Sequence, residues 1–292
     1  AGRGGGGGGG APPFGPLGVD LVAFTGWGAV ALCAAAAGVA LALMTAPGRW
    51  PPLVAAWGVS AALLVACALL LLDVVAGLLP GLGVPFHPVA FVSRAACLVE
   101  AILVGMAAVA YRRRWQSACL FCGRTEAWVP WAQPPWWAWF AAYVAVAGWM
   151  VRLGAQVAVG FDSSMSQPGG SLLVFEAAFV LAGTVLPLAL VHSWGRVFPR
   201  WVPLLAGRPV PRWLLLGPAF GIAGGLTAYF GVGIVKLAVE TSRGTWDQGA
   251  DSLPLAFFWV AMPAYMVWGL GLGAADFAYY QVTRPLCRLC SR

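Results

Sequence analysis

Apolar residues run through this chain in stretches longer than a soluble helix or strand requires, and polar residues collect between them. Seven such stretches are read at 19–45, 52–76, 88–111, 136–158, 171–193, 213–240 and 253–281. A helix rises about 1.5 Å per residue, so roughly 20 residues cross a hydrocarbon core of about 30 Å. Each stretch meets that length, and none shows the apolar/polar alternation of a barrel strand. Helix breakers punctuate the gaps: Pro47-Gly48, Pro80-Gly81, Pro134-Pro135, Pro168-Gly169-Gly170, Pro209-Val210-Pro211 and Pro254. The pattern predicts an all-α polytopic membrane protein with seven transmembrane helices, forming one domain over 17–292. Residues 1–16 are Gly/Pro-rich with few side chains to bury, and read as a flexible tail. No basic stretch leads into a short apolar core and cleavage site there, so no signal peptide is expected.

Composition sharpens the class. Hydrophobic residues make up 61% of the chain and charged residues 9%, against about 25% charged in soluble domains. Soluble globular and disordered classes are thereby excluded. The net charge of +7 does not imply nucleic acid, because the charge sits in the gaps between apolar stretches. One side collects Arg49, then Arg112, Arg113, Arg114 and Arg124, then Arg196, Arg200, Arg208 and Arg212, and finally Arg284, Arg288 and Arg292. The other side has Arg3 and Arg243 beside Asp162, Asp247 and Asp251. By the positive-inside rule this predicts a multi-pass cell-membrane protein with its N-terminus outside and its C-terminus cytoplasmic. Trp50, Trp115, Trp136, Trp194 and Trp213 read as an aromatic belt at the inner interface.

Two parts of the chain echo each other. Gly105-Met-Ala107-Ala-Val-Ala110-Tyr111 is followed by Cys119-Leu-Phe-Cys122, and Gly273-Ala-Ala275-Asp-Phe-Ala278-Tyr279 by Cys287-Arg-Leu-Cys290, at a constant offset. Gly48-Arg49-Trp50 before the second stretch resembles Pro211-Arg212-Trp213 before the sixth. A three-helix unit repeated around one intervening helix keeps the same orientation, so helices 1–3 and 5–7 are expected as parallel repeats joined by helix 4. That layout resembles fused membrane lycopene cyclases and related seven-helix terpene cyclases. Their Pro-x-Glu-Glu/Asp motif is absent: Glu100 lies in Cys97-Leu-Val-Glu100 and Glu240 in Leu237-Ala-Val-Glu240. The run from Trp194-Gly-Arg-Val-Phe-Pro-Arg-Trp201 to Pro211-Arg-Trp213 is similar to uncharacterised multi-span membrane proteins of actinobacteria, a likeness that implies no activity.

Of the seven cysteines, Cys33, Cys67 and Cys97 stand singly within apolar stretches and read as packing. Cys119, Cys122, Cys287 and Cys290 form two CxxC pairs on the predicted cytoplasmic side. Two such knuckles can close a tetrahedral Cys₄ site, for which zinc in a structural role is expected, with a redox dithiol or an iron–sulfur cluster as alternatives. Disulfides are disfavoured in a reducing compartment.

Ionisable residues in hydrocarbon are costly and point to bundle interiors. Asp73, Arg94, Glu100, Arg152, Glu176, Lys236 and Glu240 lie mostly in the outer half and are expected to line an outward-facing polar cavity that binds a ligand, ion or head group. The competing reading is a set of packing salt bridges. His192 and Asp276 are expected at the inner interface. Gly217, Gly221 and Gly225 on helix 6, with Gly269 and Gly273 on helix 7, form ridges for close packing or for a homo-oligomer or membrane-complex seam. Three function classes follow. The first is a binder, transporter or subunit in contact with membrane lipid. The second is an enzyme on a lipidic or isoprenoid substrate, with Glu100 or Glu176 as proton donor. The third is a scaffold.

Overall fold

The computed structural model describes residues 27–46, 50–79, 86–119, 121–125, 131–160, 170–200, 205–245, 254–285, 287 and 290. The predicted tail at 1–16 lies outside them, as do Arg49, Asp162, Asp247, Asp251, Arg288 and Arg292. The described chain is helical: α1 Trp27–Thr45, α2 Trp50–Ala66, α3 Leu70–Leu78, α4 Pro88–Trp115, α5 Trp136–Val159, α6 Gly170–Val180, α7 Leu186–Val191, α8 Arg212–Arg243 and α9 Leu255–Val282.

Every predicted apolar stretch carries a helix. Among the described residues, five helices are long and apolar enough to cross a membrane, and six if the bent α2–α3 pair counts as one. The apolar part of α1 that qualifies, Val30–Thr45, is shorter, because the predicted stretch at 19–45 begins in residues outside the described ones.

Two predicted single helices are interrupted. Between α2 and α3 the axis bends by 41°. Ala68 N–H bonds Val65 O at 3.1 Å and Leu70 N–H bonds Cys67 O at 2.9 Å, a local tightening to the three-residue pattern. Between α6 and α7 the helix widens into a π-turn over Leu181–Val185. Pro187 explains it: it has no N–H for Gly183 O, and its ring would crowd that carbonyl. Thr184 Oγ1 bonds Val180 O at 2.7 Å across the same turn.

Packing falls into two groups. In the first, α2 and α4 run antiparallel with α1 beside them. Ala56 clusters with Ala108 and Tyr111, and Leu63 and Cys67 with Cys97 and Ala101. Ser60 Oγ bonds Ala101 O at 3.0 Å. In the second, α9 lies between α5 and α8 around Trp149, Trp268, Leu272 and Tyr279. Leu71 of α3 touches the second group against Gly225 of α8.

Where α5 crosses α9, glycine meets backbone. A Cβ on Gly148 would stand 2.7 Å from Ala264 O, and one on Gly271 2.6 Å from Ala141 O. Gly148→Ala therefore has to push α5 off α9. A cost of about 1–3 kcal/mol is expected from thermal melting in detergent. Gly154→Ala, with open space around the same helix, is the control and should melt like the parent.

Candidate metal centre

The last turn of α4 carries Arg112, Arg113 and Arg114, cations that complement the negative helix end. Ser117 then adopts φ +50°. Ala118 N–H bonds Arg113 O at 3.0 Å and Ser117 N–H bonds Arg114 O at 3.3 Å, the Schellman closure of a helix end. This reversal delivers Cys119 into a tight knuckle. Gly123 N–H bonds Cys119 O at 2.6 Å, and Cys119 N–H bonds Arg124 O at 3.1 Å. Gly123 has φ +70°, a left-handed backbone that favours glycine, and the Arg113 side chain lies over the space a Cβ would take.

The second knuckle follows α9. Thr283 Oγ1 bonds Tyr279 O at 2.7 Å, and Pro285 prevents the helix from resuming. The two knuckles meet: Cys122 Sγ and Cys290 Sγ are 3.5 Å apart across 168 residues of sequence. All four sulfurs of Cys119, Cys122, Cys287 and Cys290 lie within 4.8 Å of one another. None is in a disulfide. A tetrahedral ion with bonds of about 2.3 Å to sulfur sets its ligands roughly 3.8 Å apart, so the four thiols could hold a metal ion without rearranging the chain.

Arg124 joins the knuckles from beneath. Its residue is 2% exposed, and its Nη2 donates to Pro285 O at 2.9 Å and Arg284 O at 3.3 Å. A buried guanidinium beside four cysteines suits a centre that becomes anionic when the thiols ionise. Backbone N–H groups of Cys122 and Phe121, with the Cys122 side chain, hold the Cys119 thiol down to about 6. Burial pushes Cys122 up to about 11, against the opposing N–H of Arg124. Every one of the four thiols releases its proton to solvent when it binds an ion, and Cys119, the one held down, releases it most readily.

The other residues singled out in the sequence are scattered. Arg94 of α4 bonds Asp73 of α3 through both carboxylate oxygens, at 2.8 and 2.6 Å. Glu100, six residues further along α4, is half-buried and is not in that ion pair. Arg152 of α5 lies over the rings of Phe179 and Tyr265, at 5.3 and 5.4 Å, and its Nη2 reaches Gln156 Oε1 at 3.4 Å. Because α4 packs in the first group and α5 in the second, Arg94 and Arg152 stand in different neighbourhoods. Glu176 is exposed on α6. Lys236 and Glu240 pair at 3.7 Å along α8 and wall a cavity of about 410 Å³ with Arg243 and Thr245.

Asp276, near the C-terminal end of α9, is 3% exposed, and His192 packs edge-on against Trp139. Cys67 and Cys97 are buried together, whereas Cys33 is exposed. Of the glycine ridges, Gly225, Gly269 and Gly273 pack within the chain, and Gly217 and Gly221 face open space. Sequence reasoning counted Arg124 only as an inner-side charge and missed its contact with the second knuckle's approach, for which its place directly after Cys122-Gly123 was the available signal.

Comparison with protein-family models, curated proteins and solved structures finds no match to this chain.

Proposed function

We propose that the chain is a seven-span protein of the cell membrane, N-terminus outside and C-terminus cytoplasmic. In this reading one zinc ion on Cys119, Cys122, Cys287 and Cys290 holds the inner ends of α4 and α9 together. The observation that carries it is the convergence of four thiols from two distant CxxC knuckles within 4.8 Å. Four protein ligands leave no open position, so the ion has a structural role. A clamp between the third and seventh spans suits a pair of parallel three-helix repeats that have to keep a fixed relation. The protein then acts as a small-molecule or ion binder, a transporter or a membrane-complex subunit. The outward cavity walled by Lys236, Glu240 and Arg243 is its binding end.

Elemental analysis of the purified protein is expected to give one zinc per chain. C119S with C287S should bring that to near zero. Zinc content unchanged in the double variant, or iron with a visible chromophore in the parent, would refute the assignment. Reporter fusions at residue 125 and at the C-terminus should both read cytoplasmic.

A further inference from the structure

Helix α5 carries a single cation, Arg152, seven residues before its end at Val159. At about 1.5 Å per residue its Cα lies roughly 10 Å inside the span. A long cationic side chain at such a depth commonly snorkels toward the interface. Arg152 turns the other way. Its guanidinium lies over the rings of Phe179 and Tyr265, at 5.3 and 5.4 Å. Phe179 stands nine residues into α6 and Tyr265 ten into α9, so their Cα atoms lie roughly 14–15 Å from those helix starts. The charge is drawn into the span and held there.

Its surroundings do not neutralise it. Gln156 Oε1 accepts from Arg152 Nη2 at 3.4 Å, a long bond to a neutral group. Among the described residues no carboxylate pairs with Arg152, and Glu176, one turn before Phe179 on α6, is exposed. Ring faces attract a cation without cancelling its charge. Arg152 Nε is buried and has no hydrogen-bond partner. Trp149 Nε1 and Trp268 Nε1 are buried and unpaired as well, on rings 6.1 and 5.3 Å from Phe179. All three orphans are donors, so what this cluster lacks is an acceptor. An uncompensated charge within a span is costly and marks a functional site.

We propose that Arg152 binds the carboxylate of a single-chain acid whose apolar body lies along Phe175 and Phe179. One guanidinium balances one negative charge, and its planar fork matches the two oxygens of a carboxylate. An inorganic anion would give up its hydration at this depth and gain no apolar contact in return. A phospholipid keeps its phosphate at the head-group level, above the guanidinium. The body of an amphiphilic acid, by contrast, is suited to aromatic walls. Phe175 stacks on Phe179 at 6.0 Å, one turn nearer the start of α6, so the two rings continue from the guanidinium toward the helix ends. Phe230 stacks on Tyr265 at 4.0 Å and holds that ring in place. Arg152 is half-buried, which leaves it reachable. The inference rests on the membrane reading and is independent of the metal and of the cavity on α8.

The test is equilibrium binding of radiolabelled decanoate to the full chain in a nonionic detergent, with protein-free micelles as the blank. One saturable decanoate per chain is expected, and decanol of equal length should not displace it. Loss of bonds to a charged group should weaken decanoate binding in R152Q by roughly 10- to 100-fold. Decanoate should also raise the melting temperature of the parent and leave that of R152Q unmoved. Unchanged binding in a folded R152Q overturns the proposal. Should R152Q not fold, competition on the parent decides: displacement by decanol as effective as by unlabelled decanoate overturns it. Equally effective displacement by chloride or by phosphatidylglycerol would make the occupant an inorganic ion or a phospholipid, and would overturn it too. So would an equal loss after R112Q with R114Q, exposed arginines on α4, because that would mean diffuse attraction. Failure of the membrane reading shows separately, in the reporter fusions.

Discussion

A chain carrying serine at both Cys122 and Cys290 is expected to lose its metal and to melt roughly 10 °C below the parent in the same detergent. An ion that binds only the folded chain stabilises it by about 4 kcal/mol at a free concentration 1,000-fold above its dissociation constant. For a chain of this size each kcal/mol moves the melting temperature by about 2–4 °C. The two serines remove one ligand from each knuckle, and Cys122 and Cys290 are the 3.5 Å pair that bridges them. Acid should reproduce the loss in the parent, because thiolates are the ligands and protons compete with the ion. The thiols' own shifts oppose each other. Cys119, held down to about 6, adds stability above 9.0 that is lost as pH falls through about 6. Cys122, pushed up to about 11, adds stability below 9.0 that is lost as pH rises through about 11. The loss in acid therefore follows from protons displacing the ion. A chelator at pH 8 should then shift the parent and leave the double-serine chain unmoved. If both chains shift equally, the thiols are not the ligands.

The cysteine centre was legible because each knuckle is local. CxxC spacing and a preceding helix end are both short-range, and only the meeting of the two knuckles needed the fold. The helices were legible for a similar reason. Stretches read at 136–158 and 253–281 became Trp136–Val159 and Leu255–Val282. Interior details were less accessible. The bend at Cys67–Leu69 contains neither proline nor glycine, so no residue marked it. The glycines expected to form ridges include Gly217 and Gly221, where an added Cβ would meet nothing within 4 Å, whereas the α5–α9 crossing uses Gly148 and Gly271. Glycine frequency cannot say which face of a helix meets a neighbour. Arg152 was grouped with acids because charge was the only partner visible in sequence. In the fold it lies over Phe179 and Tyr265, where ring faces attract the cation.

Asp73→Leu is expected to cost about 3–5 kcal/mol of stability in detergent, and Arg94→Leu a similar amount, whereas the two together should cost less than either alone. The reasoning is electrostatic. The two side chains are 8% and 13% exposed, and Arg94 Nη1 lies 2.6 Å from Asp73 Oδ2. Breaking such a pair strands a charge in a low dielectric. Replacing both charges by apolar groups of similar volume is often neutral or stabilising. The bend between α2 and α3 makes the pair possible, since it turns α3 so that Asp73 faces the start of α4. Glu100 stands six residues from Arg94 on the same helix and outside this pair, so Glu100→Leu should not rescue Arg94→Leu. The double-mutant cycle also separates packing from ligand binding. If D73L with R94L restores both stability and complementation of a chromosomal deletion, the pair serves only to join α3 to α4. If it restores stability and leaves complementation lost, Arg94 or Asp73 reaches a ligand as well. A double variant as unstable as the worse single one would mean that the charges do not interact, and the electrostatic account of this bend would fail.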